Sequence, residues 1–114
     1  MDIQLTKAQR GFLEDYFEDI LYGRPDLLES PDEAVLEALE GMDFDDGMAT
    51  TSNRVKVARN LHEKGLLKIF NPHGGVEGPH IHLSFSRRGS EVVLQLLREA
   101  AAEGRLPQAK VPGI

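Results

Sequence analysis

The chain contains no cysteine, which excludes disulfides, thiolate metal sites and a cysteine nucleophile. It has no apolar run near the ~18 residues that a membrane-spanning helix needs, so no membrane association is expected. Its first residues, MDIQLTKAQRGFLEDYF, carry acids early and lack a small-residue cleavage site; they are not expected to act as a secretory signal. There is no internal repeat, and no stretch inside residues 5–104 is long enough to serve as a linker. The pattern suggests no Ser/His/Asp set, phosphate-cradling loop or paired-carboxylate cleft. A cytoplasmic protein without enzymatic activity or cofactor is therefore expected.

What is present is 114 residues, 40% of them hydrophobic, enough for one compact domain around one core. The formal net charge is −6, which by itself argues against a nucleic-acid partner. Its distribution argues the other way. Residues 1–46 hold fourteen acids and three cations (Lys7, Arg10, Arg24), whereas residues 47–90 hold seven cations and two acids, Glu63 and Glu77. Because the Debye length is ~8 Å at physiological salt, a nearby phosphate responds to the local basic surface more than to a distant acidic one.

Periodicity and punctuation divide the chain into elements. Residues 5–22 are expected to form a helix. Thr6 and Gln9 make a capping box, and Leu5, Ala8, Phe12, Leu13, Tyr16, Phe17, Ile20 and Leu21 form one apolar stripe that stops at Gly23 and Pro25. In SPDEAVLEALEGM (30–42), Ser30 is the expected N-cap, Pro31 the first helical residue and Glu33 the capping-box partner, with Gly41 as terminator. DFDDG (43–47) reads as a loop or single turn, with Phe44 reaching toward the core.

Residues 51–64 are expected to form the third strong helix, capped by Thr51 or Ser52. Val57, Ala58 and Leu61 lie on its buried side with Val55 at the edge. Arg54 falls on that apolar side, which suggests a frayed first turn. LLKIFN (66–71) and HIHLSFS (80–86) read as strands flanking the Gly/Pro-rich PHGGVEGP, and residues 90–103 as a final helix ended by Gly104 and Pro107. Residues 105–114 are expected to form a flexible tail.

RVKVARNLHEKGLLKI, then a glycine-rich hairpin, then HLSFSRRGSEVVLQLL, resembles the second half of a winged helix-turn-helix domain of the MarR or PadR type. The resemblance covers roughly residues 48–97. It rests on the Leu-x-x-x-Gly-Leu step at Leu61, Gly65 and Leu66, on the hairpin that follows, and on the Ser-x-x-Gly helix start from Ser86 to Gly89. It implies a mainly α fold with a small β-hairpin, in the order α-α-(short turn)-α-β-β-α. One domain would span 1–104, with helix 51–64 as recognition helix and 66–86 as wing. The departure lies upstream: eight to ten residues separate Gly41 from the basic helix, where such pairs usually have a turn of three or four.

The expected function is sequence-specific binding of double-stranded DNA by a transcriptional regulator. Thr51, Ser52, Asn53, Arg54, Lys56, Arg59 and Asn60 supply the donors that a helix in the major groove needs for phosphates and base edges. Lys68, Arg87 and Arg88 are candidates for phosphate contact at the base of the wing. An exposed helix face is commonly polar without any partner. The charge-poor wing tip and the acidic first half favour a different class of function, a winged-helix protein-interaction module or adaptor. His73, His80 and His82 are weak candidate metal ligands, ordinary strand histidines being the better account, and no metal is expected. Leu13, Tyr16, Phe17 and Ile20, with Val93, Leu96, Leu97 and Ala100, are expected to offer more apolar surface than a small core needs. The resemblance implies that terminal helices form a homodimer interface; alternatively, these side chains simply complete the monomer core. A small-molecule effector is permitted only by that resemblance.

Overall fold

The computed structural model describes residues 4–47, 53–70 and 80–106. In chain order the elements are α1 (Lys7–Glu14), α2 (Phe17–Gly23), a 3-10 turn (Leu27–Glu29), α3 (Asp32–Glu40), β1 (Asp43–Gly47), α4 (Asn53–Glu63), β2 (Leu67–Phe70), β3 (His80–Phe85) and α5 (Arg87–Ala102). The result is an α+β fold, mainly helical, with one three-stranded antiparallel sheet ordered β1-β3-β2. Among the described residues no helix is long and apolar enough to cross a membrane.

The capping box forms as its sequence requires: the Gln9 amide donates to the Thr6 hydroxyl at 3.1 Å, and the Thr6 amide donates to Gln9 Oε1 at 3.0 Å. The expected single helix over 5–22 is two helices. Its ladder breaks at Asp15 and Tyr16, where the Tyr16 amide bonds the Leu13 carbonyl at 3.2 Å, a three-residue step. Tyr16 sits there in an aromatic cluster, 5.4 Å from Phe12 and 4.8 Å from Phe44 between ring centroids.

Two further expectations are corrected. Ser30 does not cap α3 but closes the 3-10 turn before it, its amide bonding the Leu27 carbonyl at 3.1 Å; α3 starts at Asp32, the residue at its N-cap is Pro31, and no side chain caps it. Glu33 reaches instead to Arg87, 2.7 Å away, so an ion pair to another element takes the carboxylate that a capping box would have used. DFDDG is not a loop or turn but the edge strand β1, with Phe44 opposite Leu83 and Asp43 opposite Ser84. Its acids conceal it, since Asp is depleted in strands, yet charge suits an edge that must not recruit further strands. The α3–α4 connection thus contains a strand rather than the short turn of a helix-turn-helix pair, and the expected order gains an element between its second and third helices.

β3 is the central strand. On one face Leu83 and Phe85 are buried together with Leu67 of β2 and, partly, Phe44 and Ile69. On the other face Ser84 lies between Asp43 and Lys68 in register. Helices α1, α3, α4 and α5 close over the inner face, and the buried residues form one cluster around Leu13, Ile20, Leu39, Leu61 and Leu97. Within α4 the buried side chains are Val55, Ala58 and Leu61. Val55, expected at the edge, is fully buried, and Val57 is only half-buried. The final helix starts three residues before the expected Ser90, because Ser86 is its N-cap.

The two motifs on which the resemblance rests have a physical explanation, because they touch. Gly65 (φ +80°) ends α4 in a Schellman turn: the Leu66 amide bonds the Leu61 carbonyl at 3.0 Å and the Gly65 amide bonds the His62 carbonyl at 2.9 Å. Leu61 and Leu66, the two leucines that flank this turn, are both fully buried. Ser86 then joins the turn to α5. Its hydroxyl donates to the Gly65 carbonyl at 2.6 Å and accepts from the Gly89 amide at 2.9 Å, while its own amide donates to the Leu66 carbonyl at 3.1 Å. Gly89 lies directly on that carbonyl: a Cβ there would stand 1.9 Å from the Leu66 oxygen.

Candidate nucleic-acid interface

Helix α4 is held from beneath and at both ends. Val55, Ala58 and Leu61 fix its lower face in the core. At its start, the Arg54 guanidinium bonds Asp15 at 2.6 Å and lies 4.5 Å from the centroid of the Phe12 ring and 5.7 Å from that of Tyr16. Just past its end, the Lys64 ammonium donates to Gln9 Oε1 at 2.8 Å and to the Gln4 carbonyl at 3.1 Å. His62 Nδ1 donates to the Leu67 carbonyl at 2.8 Å. The helix is therefore a rigid, pre-placed element.

The outward side is different. Asn53, Lys56, Arg59 and Asn60 are exposed. Among the described residues, no hydrogen bond or ion pair engages the Lys56, Arg59 or Asn60 side chain. Glu63, also exposed, continues the same outward line one turn beyond Asn60. Lys68 is exposed on β2, one strand over from Ser84.

The remaining sequence candidates are distributed differently. Thr51, Ser52, His73 and Glu77 lie outside the described residues, as do the wing tip at 71–79 and the tail from residue 107 onward. Arg54 is not at a frayed turn but half-buried in the ion pair and ring stack just described. Arg87 is taken up by Glu33 at 2.7 Å and Glu40 at 3.6 Å. Arg88 is exposed and also has a partner within the fold. His82 is exposed. Among the described residues no three potential ligands are grouped to hold a metal.

Several acids of the first half are paired with cations from later in the chain. Asp15 is paired with Arg54, Glu33 with Arg87, Asp32 with Arg98, and Glu14 with Arg105 at 3.5 Å. Arg10 pairs in the opposite sense with Glu99 of α5. The hydrogen bond from Arg98 pulls the Asp32 carboxyl below its ordinary pKa, and that from Arg87 does the same for Glu33; both arginines are raised in return. Contacts of this exposed kind are screened by solvent and add little to stability. They offset four of the fourteen acids of residues 1–46. This pairing was the main electrostatic feature missed in the sequence, since it joins residues tens of positions apart.

The eight side chains assigned to a dimer interface, Leu13, Tyr16, Phe17, Ile20, Val93, Leu96, Leu97 and Ala100, are all buried within the single chain, none more than 5% exposed. Their apolar surface closes the monomer core, the alternative that the sequence left open, so a dimer would have to use other surface. The large hydrophobic side chain exposed among the described residues is Tyr22, at 84%. A cleft of about 380 Å³ is lined by Glu14, Asp15, Phe17, Glu18 and Arg105. Its walls are charged, unlike the mostly apolar pockets that hold small organic ligands.

Compared with protein-family models, curated proteins and solved structures, the chain matches none.

Proposed function

We propose that this chain binds double-stranded DNA sequence-specifically as a winged helix-turn-helix regulator, with α4 in the major groove. One observation carries the reading. The outward side of α4 presents Lys56, Arg59 and Asn60, exposed and uncommitted among the described residues, on a helix immobilised along its other side. Had these side chains been covered by protein, or neutralised by the many acids of residues 1–46, there would be no cationic surface to offer a polyanion. Support also comes from the contact between the Gly65–Leu66 turn and Ser86–Gly89, which couples the helix, the hairpin and α5 as a unit. An α-helix of ~10–12 Å diameter fits the ~12 Å major groove.

The magnitudes set the test. With Arg59 and Lys68 each neutralising a phosphate, log affinity falls against log salt with a slope of about −1.8, or roughly 12-fold between 50 and 200 mM. Mobility-shift titrations at the two salts measure this slope. Arg59→Ala and Lys68→Ala are expected to lower the magnitude of the slope by about 0.9 each, and Lys56→Ala to weaken binding. Asn60→Ala is expected to weaken binding to preferred sequences most. Sedimentation of the complex counts the copies bound per duplex; two copies reading successive major grooves would lie ~34 Å apart.

The second reading is an interaction module that contacts a protein instead. The commitment of Arg54 and Arg87 to internal carboxylates favours it, because it removes two cations from the basic set. Duplex binding that is equally weak for wild type and the Lys56, Arg59 and Asn60 variants would select this reading.

A further inference from the structure

The outward ridge of α4 carries Asn53, Lys56, Asn60 and Glu63, all exposed. Their spacing of three, four and three residues keeps them on one line of the helix. Glu63 is an anomaly on this ridge: a carboxylate facing phosphates costs affinity, and among the described residues no ion pair or hydrogen bond occupies it. Repulsion is one use for such a residue. A second is chemical. A carboxylate accepts from the cytosine N4 amino group, as asparagine pairs with adenine N6/N7 and lysine with guanine O6/N7.

We propose that Glu63 is a specificity residue, and that the ridge Asn53–Lys56–Asn60–Glu63 reads a short run of adenine, guanine, adenine and cytosine edges along the major groove. The inference rests on the DNA-binding reading above and deepens it by naming the kind of duplex. The ten-residue span from Asn53 to Glu63 covers about 15 Å of helix at 1.5 Å per residue. That matches four to five base pairs at ~3.4 Å each. The two asparagines, seven residues apart, fall about three base pairs from one another on the same scale. Glu63 acts by exclusion as much as by attraction: opposite any base edge that offers only acceptors, it has lone pairs facing lone pairs. Lys68, on the neighbouring strand rather than on the ridge, contributes affinity without preference.

The test selects bound duplexes from a randomised pool with the full chain and with Glu63→Gln, Asn60→Ala and Lys68→Ala. Circular dichroism confirms that each variant is folded. Wild type is expected to enrich cytosine at one position and adenine at another. Glu63→Gln is expected to lose the cytosine preference, by roughly tenfold or more, while its affinity for unselected duplex rises. Asn60→Ala is expected to relax an adenine position, and Lys68→Ala to weaken all sequences alike. If Glu63→Gln strengthens binding to every sequence equally and leaves the selected motif unchanged, Glu63 only repels phosphate and the inference is overturned, with DNA binding intact. If wild type retains no duplex at either salt, the proposed function itself falls and takes the inference with it.

Discussion

Gly89→Ala separates the tertiary structure from local propensity because the two predict opposite signs. Gly89 lies inside α5, and replacing a helical glycine by alanine ordinarily stabilises by roughly 0.5–1 kcal/mol. Here the added Cβ would stand 1.9 Å from the Leu66 carbonyl oxygen and 2.8 Å from its carbon. Both are backbone atoms, so no side-chain rotation relieves the contact. Either α5 moves outward by more than an ångström or β2 moves inward. Outward movement lifts Val93 and Leu97, both fully buried, and stretches the Ser86-to-Leu66 bond, now 3.1 Å. Overpacking of this kind costs ~1–3 kcal/mol and a lost hydrogen bond about 1 kcal/mol more. After the propensity gain is subtracted, a net loss of about 1–3 kcal/mol remains. Gly11, in α1, is the control: an added Cβ there meets nothing within 4 Å, so Gly11→Ala should gain roughly 0.5–1 kcal/mol. Urea denaturation followed by helical circular dichroism measures both, since the chain has no tryptophan to report. A Gly89→Ala midpoint at or above wild type, with unchanged slope, would refute the claim that the Gly65–Leu66 turn and α5 are in backbone contact.

Arg54→Ala should cost about 1 kcal/mol, from the ring stack and the Asp15 pair together. Arg54→Lys should recover less than half of it, because an ammonium cannot lie flat on Phe12; full recovery would show that charge alone matters. Ser90 is fully buried and its hydroxyl has no hydrogen-bond partner among the described residues, so Ser90→Ala should be neutral or stabilise by up to ~1 kcal/mol, and a clear loss in thermal denaturation would point to an unrecognised partner. Asp32 and Glu33 have lowered carboxyl pKa values in the fold because of Arg98 and Arg87. Their contribution is present above the ordinary carboxylate range and lost as pH falls through the lowered values. Arg98→Gln should therefore flatten the acid limb of the stability curve, and 1 M salt should do the same to wild type; an unchanged acid limb in both would show that these exposed pairs do not couple to folding.

How much could be read in advance depended on how far apart the interacting residues are. The Thr6–Gln9 box, the stops at Gly41 and Gly104, and the inward positions of Ala58 and Leu61 were legible. Each depends on partners within one helical turn or on side-chain periodicity. Even the outward side of α4, where the candidate site lies, followed from placing residues at 100° per step. What could not be read was set by distant partners. Asp43–Gly47 becomes a strand only because β3 offers it an edge. Arg54 is claimed by Asp15, thirty-nine residues earlier, and Glu33 gives up a cap for Arg87.

By itself the sequence determined where the helices stop, which faces are apolar, and that Lys56 and Arg59 face away from the apolar side of residues 53–60. Tertiary structure alone decided that the apolar surplus of the first and last helices is consumed within one copy, and which cations stay available. A side chain's intrinsic charge and hydropathy are local properties, whereas its burial and its ionic partner depend on whatever the rest of the chain brings alongside it.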